Sequence, residues 1–212
     1  MTEKEISQAV ISRLPRYYRF LADLKEQGKQ RISSQELSDI MKVTASQIRQ
    51  DFNNFGGFGQ QGYGYNIEYL HGEIGRILGL DRKHRMILVG VGNLGQALLN
   101  YASFSVTGFS FVRAFDAKKA LDGTIVAGVP VSLVTELDRF LETEDVDIAV
   151  IAIPRANAQA GASRLDRGGI RAIWNFAPVD LEVPANVTVE HVHLQDSLMK
   201  LSYLAAHEKT GR

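Results

Sequence analysis

The sequence predicts an α/β protein in two parts: a winged helix-turn-helix domain, then a Rossmann-like, doubly wound parallel sheet, closed by one further helix. Three observations carry this. Two short segments, each opened by a helix-capping pattern and joined by a tight turn, precede a run of glycines alternating with aromatics. Beyond residue 85, apolar runs of strand length alternate with helical segments, as in a parallel sheet covered by helices. A G-x-G-x-x-G loop lies where the first of those strands meets the first of those helices. The expected boundaries are 1–80 for the winged-helix domain, 81–192 for the Rossmann-like domain and 193–212 for the terminal helix.

In the first part, Ile6, Val10, Leu14, Tyr17, Leu21 and Leu24 fall at helical spacing, with Gly28 as the stop. Ser33 with Glu36 reads as a capping box opening a helix to Met41, and Thr44 with Gln47 as a second, opening a helix to Phe55. Lys42 and Val43 make the turn between them. The stretch 56–65 suits a β-hairpin, the wing, and 66–79 a connecting helix.

In the second part, strands are expected at 86–89, 109–115, 129–131, 148–153, 170–174 and 187–192. Helices are expected at 94–102, 134–141, 156–167 and 197–207. The run at 148–153 is apolar throughout, as in a strand buried on both faces.

Composition bounds the function. The 212 residues are 45% hydrophobic and 23% charged, ordinary for a folded chain. There is no cysteine, so no disulfide scaffold, thiol nucleophile or Cys-based zinc site. Net charge is zero, yet residues 1–85 carry 13 basic and 10 acidic side chains. A nucleic-acid footprint is therefore local and N-terminal. No apolar leader and no run of 18 apolar residues is present, so a cytoplasmic protein with no membrane span is expected.

The helix over 44–55 is the candidate recognition helix. Its polar positions are Ser46, Gln47, Arg49, Gln50 and Asn53, with Ile48, Phe52 and Phe55 turned inward. Glutamine pairs with adenine and arginine with guanine in a major groove, so an A·T-rich site with a few guanines is expected. Gln60 and Gln61 at the wing tip carry no charge. Arg13, Arg16, Arg19 and Arg31 remain to hold phosphates, which position without reading sequence.

In Gly90-Val91-Gly92-Asn93-Leu94-Gly95, Gly90 permits the tight turn, Gly92 lets a pyrophosphate approach, and Gly95 lets helix and strand pack closely. Asp116 follows 21 residues after Gly95, at the end of the second strand, where a carboxylate accepts both hydroxyls of an adenosine ribose. NAD(H) is expected over NADP, although Lys118 and Lys119 stand close to that acid. Hydride chemistry also needs a substrate site and a proton donor. The roughly 127 residues after position 85 leave room for a cofactor and little else. A cofactor sensor is expected rather than an enzyme. One face of a strand can hold both His191 and His193, but no acidic or cysteine third ligand is obvious nearby, so no metal is expected.

The segments TASQIRQDFNNFGGFGQQGYGYN, ILVGVGNLGQAL and WNFAPVDLEVP closely resemble the family of redox-sensing transcriptional repressors called Rex. The resemblance spans nearly the whole chain. It implies a homodimeric repressor on double-stranded operator DNA, released when NADH rises against NAD+, with the last helix exchanged between subunits. It implies that Tyr101 lies near the nicotinamide and that Asn175, Phe176, Ala177 and Pro178 border the pocket. Arg19 matches an arginine that links the two domains in one state. Many members carry Lys where this chain has Gln50 and basic residues where it has Gln60 and Gln61. Many also carry Asp at His193, so two substitutes stay open: Asp196 one turn on, or a hydrogen bond from His193 to Tyr101. The competing readings are an NAD-dependent oxidoreductase with an N-terminal regulatory module, and a nucleotide- or CoA-binding interaction protein.

Overall fold

The structure, a computed structural model, describes residues 6–55 and 63–208. The chain parts into two compact units between Arg82 and Lys83. Of the wing expected at 56–65, residues 56–62, with Gln60 and Gln61 at its tip, lie outside the described residues.

The N-terminal unit holds α1 (Gln8–Ile11), α2 (Leu14–Glu26), β1 (Arg31–Ile32), α3 (Ser34–Met41), α4 (Ala45–Asn53), β2 (Tyr65–Asn66) and α5 (Ile67–Ile77). The apolar spacing from Ile6 predicts one helix, and the structure corrects this to two. Pro15 sits in the first turn of α2, where its missing N–H is no loss, and proline cannot continue a helix that enters from its N-terminal side. Gly28, at φ +75°, closes α2, and the Lys29 N–H donates to the Leu24 carbonyl.

The Ser33–Glu36 capping box is complete in both directions. At α4 only half of the expected box is made: Thr44 Oγ1 accepts from the Gln47 N–H, while the Gln47 side chain turns to Asp51. Lys42 takes the left-handed conformation at φ 56°, which makes the turn between α3 and α4. Leu14, Tyr17, Leu21, Leu37, Met41, Ile48, Phe52, Leu70 and Ile74 form the core of this unit. Antiparallel pairing of β1 with β2 ties the far end of the expected wing, at Tyr65, to the short strand before α3.

The C-terminal unit holds β3 (His84–Val89), α6 (Asn93–Leu99), α7 (Ser103–Val106), β4 (Phe109–Asp116), β5 (Ile125–Val126), β6 (Val129–Leu133), α8 (Leu137–Thr143), β7 (Ile148–Ile151), α9 (Arg155–Arg167), β8 (Ala172–Asn175), β9 (Thr188–His191) and α10 (Leu194–Glu208). The sheet order is β5-β6-β4-β3-β7-β8-β9, parallel except for β5. Its six parallel strands follow the doubly wound order, with the switch point between β3 and β7. Ile87, Leu88, Ala149 and Val150 are fully buried at its centre, as expected of strands covered on both faces. Residues 134–136 form a 3-10 turn before α8, and α10 begins at Leu194 rather than 197.

A candidate nucleic-acid interface and a dinucleotide cleft

On α4, Ser46, Arg49, Gln50 and Asn53 are exposed, opposite buried Ile48 and Phe52. Arg49 donates to Ser34 Oγ at 2.9 Å, which ties the exposed face of α4 to the start of α3. Two other residues expected on DNA are held elsewhere. The Arg13 guanidinium forks onto Asp51, with Nε to Oδ2 and Nη2 to Oδ1 both at 2.7 Å. Gln47 Nε2 donates to the same carboxylate at 2.8 Å, and so does the Tyr17 hydroxyl.

Asp51 is fully buried. Burial pushes its carboxyl upward, but the hydrogen bonds from Arg13, Gln47 and Tyr17 more than reverse this and hold it below the ordinary value. Burial first, then the Asp51 carboxylate, raises the Tyr17 phenol. Asp51 follows Ile48 by three residues, so it lies on the inward stripe of the helix. That position was its one signal in the sequence. Arg16 and Arg19 are exposed and both approach the Phe20 ring, at 5.6 and 5.8 Å.

In the second unit, β3 delivers the chain into Gly90 at φ +102°, a conformation that favours glycine. A methyl at Gly90 would also meet the Ala152 carbonyl, and one at Gly95 would collide with the Gly90 carbonyl. Among the described residues, Gly92, the N-cap of α6, faces open space, and no side chain caps the helix.

Asp116 ends β4. Its Oδ2 accepts from the Val91 N–H at 2.7 Å and its Oδ1 from the Lys118 N–H at 2.8 Å. Each carboxylate oxygen keeps further acceptor capacity. Gly90, Gly92 and Asp116 open on one cleft of about 510 Å³ at the C-terminal ends of β3, β4 and β7. Its walls include Val134, Leu137, Ile153 and Pro154, with Asn157 and Arg164 from α9, which the sequence reading did not single out. This is the place where ligands bind in open α/β sheets.

The other expected pocket residues gather separately. Tyr101 packs on Phe104 (ring centroids 4.8 Å apart), Phe104 on Trp174 (5.6 Å) and Trp174 on Phe176 (4.6 Å). Tyr101 and Pro178 are exposed. Val91 is buried, while Asn93 is exposed and Leu94 half-buried at the start of α6.

The two histidines differ from expectation. His193 Nε2 lies 3.0 Å from Asp180 Oδ1, so its polar partner is Asp180 rather than Tyr101. Asp180 is also the nearby acid that local sequence did not offer. The hydrogen bond with His193 holds the Asp180 carboxyl below its usual range, against an opposing burial effect. Asp196 is exposed in the first turn of α10.

Comparison with known proteins gives a consistent picture. Residues 5–53 match the family model described as "Putative DNA-binding protein N-terminus", and residues 81–179 match "CoA binding domain". The chain is 55% identical to the redox-sensing transcriptional repressor Rex of Clostridioides difficile, over 97% of this chain and 98% of that protein. It is 51% identical to Rex of Thermoanaerobacter pseudethanolicus, over 97% and 92%. Two crystal structures superpose closely. One is RSP in complex with β-NAD+ and operator DNA (TM-score 0.92, 51% identity, 98% of this chain and 95% of that one). The other is RSP in complex with β-NADH (TM-score 0.91, 48% identity, 98% and 97%).

Proposed function

This chain belongs to the Rex family of redox-sensing transcriptional repressors, and we propose that its two units couple the NADH/NAD+ ratio to occupancy of an A·T-rich inverted-repeat operator. It is a regulator and not an enzyme. NAD+ permits operator binding, and NADH releases the protein from DNA. The observation that carries this reading is the pairing, in one chain, of an exposed polar α4 face with a glycine-loop cleft whose rim holds Asp116.

The cleft residues fit a dinucleotide. Gly92 leaves room for a pyrophosphate, uncapped N–H groups at the start of α6 suit its charge, and Asp116 has acceptor capacity for ribose hydroxyls. Gly90, Val91, Gly92, Asn93, Leu94 and Gly95 form the phosphate loop. Val134, Leu137, Ile153 and Pro154 supply apolar walls for the adenine. We assign the nicotinamide to the Tyr101–Phe104–Trp174–Phe176 ring cluster, with Pro178. An oxidised ring is a cation that resists transfer into such surroundings, whereas the neutral reduced ring enters more readily. That difference lets the site select NADH.

On DNA, Ser46, Arg49, Gln50 and Asn53 meet base edges, while Arg16 contacts phosphate. Arg13 and Gln47 act through Asp51, holding α4 at its angle to α2. The protein works as a cytoplasmic homodimer. Leu194, Leu198, Met199, Leu201 and Leu204 on α10 are each about half exposed or more, an apolar face of the kind a second subunit covers. The segment 193–212 is thus the dimerisation region, and 1–80 and 81–192 are the DNA-binding and cofactor-binding regions.

The test is a DNA-shift titration on an A·T-rich inverted repeat. NADH is expected to release the complex at concentrations where NAD+ leaves it intact. Equal release by both, or by neither, would overturn the reading.

A further inference from the structure

The junction of β9 with α10 carries a side-chain cluster that neither the cofactor cleft nor the α4 face uses. His191 closes β9, and His193 follows two residues later on the same face of the extended chain. Their rings lie parallel within 3°, with centroids 5.8 Å apart. Asp180, from the connection between β8 and β9, places Oδ1 3.0 Å from His193 Nε2 and 3.8 Å from His191 Nδ1. One ligand atom from each of the three residues falls within 4.8 Å of the others.

A cation would displace the proton that His193 Nε2 shares with Asp180, and it would find a lone pair on His191. The Asn175 amide is fixed: its Oδ1 accepts from the Ala177 N–H, and its Nδ2 donates to the Val179 carbonyl. The same Nδ2 lies 3.0 Å from His191 Nδ1, so that ring nitrogen presents a lone pair and not a proton. Asp180 is largely exposed, which leaves most of its acceptor capacity unused.

We propose that Asp180, His191 and His193 bind one divalent cation of the zinc class. Zinc holds imidazole nitrogen and carboxylate oxygen at about 2.0–2.2 Å, which puts neighbouring ligands of a tetrahedral set roughly 3.4 Å apart. The separations of Asp180 Oδ1 from the two ring nitrogens, 3.0 and 3.8 Å, bracket that figure, and the two ring nitrogens lie within 4.8 Å of each other, so the ion would draw them in. Two imidazoles favour zinc and its neighbours over magnesium or calcium, which take oxygen. The ion takes the His191 lone pair from Asn175, which keeps its bond to the Val179 carbonyl. Three protein ligands leave the remaining position to water. The site joins the connection that carries Asp180 to the residue immediately before α10, so an ion here stiffens the root of that helix.

The test uses the full chain, freed of metal by a chelator and titrated with Zn2+ against a chromophoric competitor at neutral pH, with Co2+ as a spectroscopic probe. The expected result is one Zn2+ per chain and an intense Co2+ band of tetrahedral type. His193→Ala, His191→Ala and Asp180→Asn are each expected to weaken binding by about tenfold or more. Affinity is expected to fall below about pH 6.5, because imidazole must lose its proton to bind. Circular dichroism of each metal-free variant checks that the chain still folds, and Asp180→Asn preserves the side-chain shape. No stoichiometric binding, or binding that survives His193→Ala and Asp180→Asn, would overturn the proposal. Neither readout involves DNA or NADH, so the proposal fails or stands apart from the repressor reading.

Discussion

Replacing Arg13 with alanine separates two roles for a basic residue in a DNA-binding unit. Arg13 donates twice to Asp51, whose side chain is fully buried, while its own guanidinium is about a quarter exposed. Its removal leaves a buried carboxylate with only Tyr17 and Gln47 as donors. Breaking a buried pair from one side costs about 3–5 kcal/mol, and the exposure of Arg13 argues for the lower end, about 3 kcal/mol. That is a large share of the stability of a small unit. Denaturant unfolding followed by far-ultraviolet circular dichroism reads this loss. A salt titration of operator binding then decides the role. A phosphate contact contributes about 0.9 to the slope of log affinity against log salt. A residue that positions α4 weakens binding but leaves the slope alone. A loss below about 1 kcal/mol together with a slope reduced by about one would refute the positioning role and return Arg13 to the phosphates.

Three further outcomes follow from the geometry. Gly95→Ala puts a methyl into the Gly90 carbonyl, so overpacking is expected to cost about 1–3 kcal/mol and to abolish cofactor binding measured by calorimetry; unchanged affinity would contradict the packing argument. Burial, with help from Lys25, lowers the His71 pKa below its ordinary 6.5, and its buried Nε2 has no hydrogen-bond partner among the described residues. The folded state then binds fewer protons than the unfolded one, so stability falls as pH drops from about 6.5 toward the folded value; melts of His71→Phe against the parent should show a flatter pH profile. Leu201→Asp on the exposed apolar face of α10 is expected to yield monomers by light scattering, and a persistent dimer would move the interface elsewhere.

Much of the fold was legible because burial leaves a pattern. The runs at 86–89 in β3 and at β7 are apolar throughout since both sheet faces are covered, and Gly90 and Gly95 in the loop between β3 and α6 have little steric freedom. The break between α1 and α2 was not legible from spacing. Val10, Leu14 and Tyr17 are all buried, so the apolar repeat runs straight through it, and Pro15 was its one local sign. Asp51 was hidden among polar neighbours on α4, because periodicity reports burial of apolar groups and is blind to a carboxylate satisfied inside. Asp180 meets His193 across 13 residues through the path of the connection before β9, a tertiary fact with no local signature. The cleft residues Asn157 and Arg164 come from α9 for the same reason. Tyr101 and Phe176 were assigned to the pocket by resemblance, and the structure adds Trp174 as the ring that joins Phe104 to Phe176.

The central claim is that the cofactor cleft and the α4 face are coupled, and linkage makes coupling reciprocal. The direct measurement is NADH affinity, read by cofactor fluorescence, with and without a saturating operator duplex. The account predicts that the duplex weakens NADH by the same factor by which NADH weakens the duplex, on the order of 5–150-fold. An NADH affinity indifferent to the duplex would contradict it.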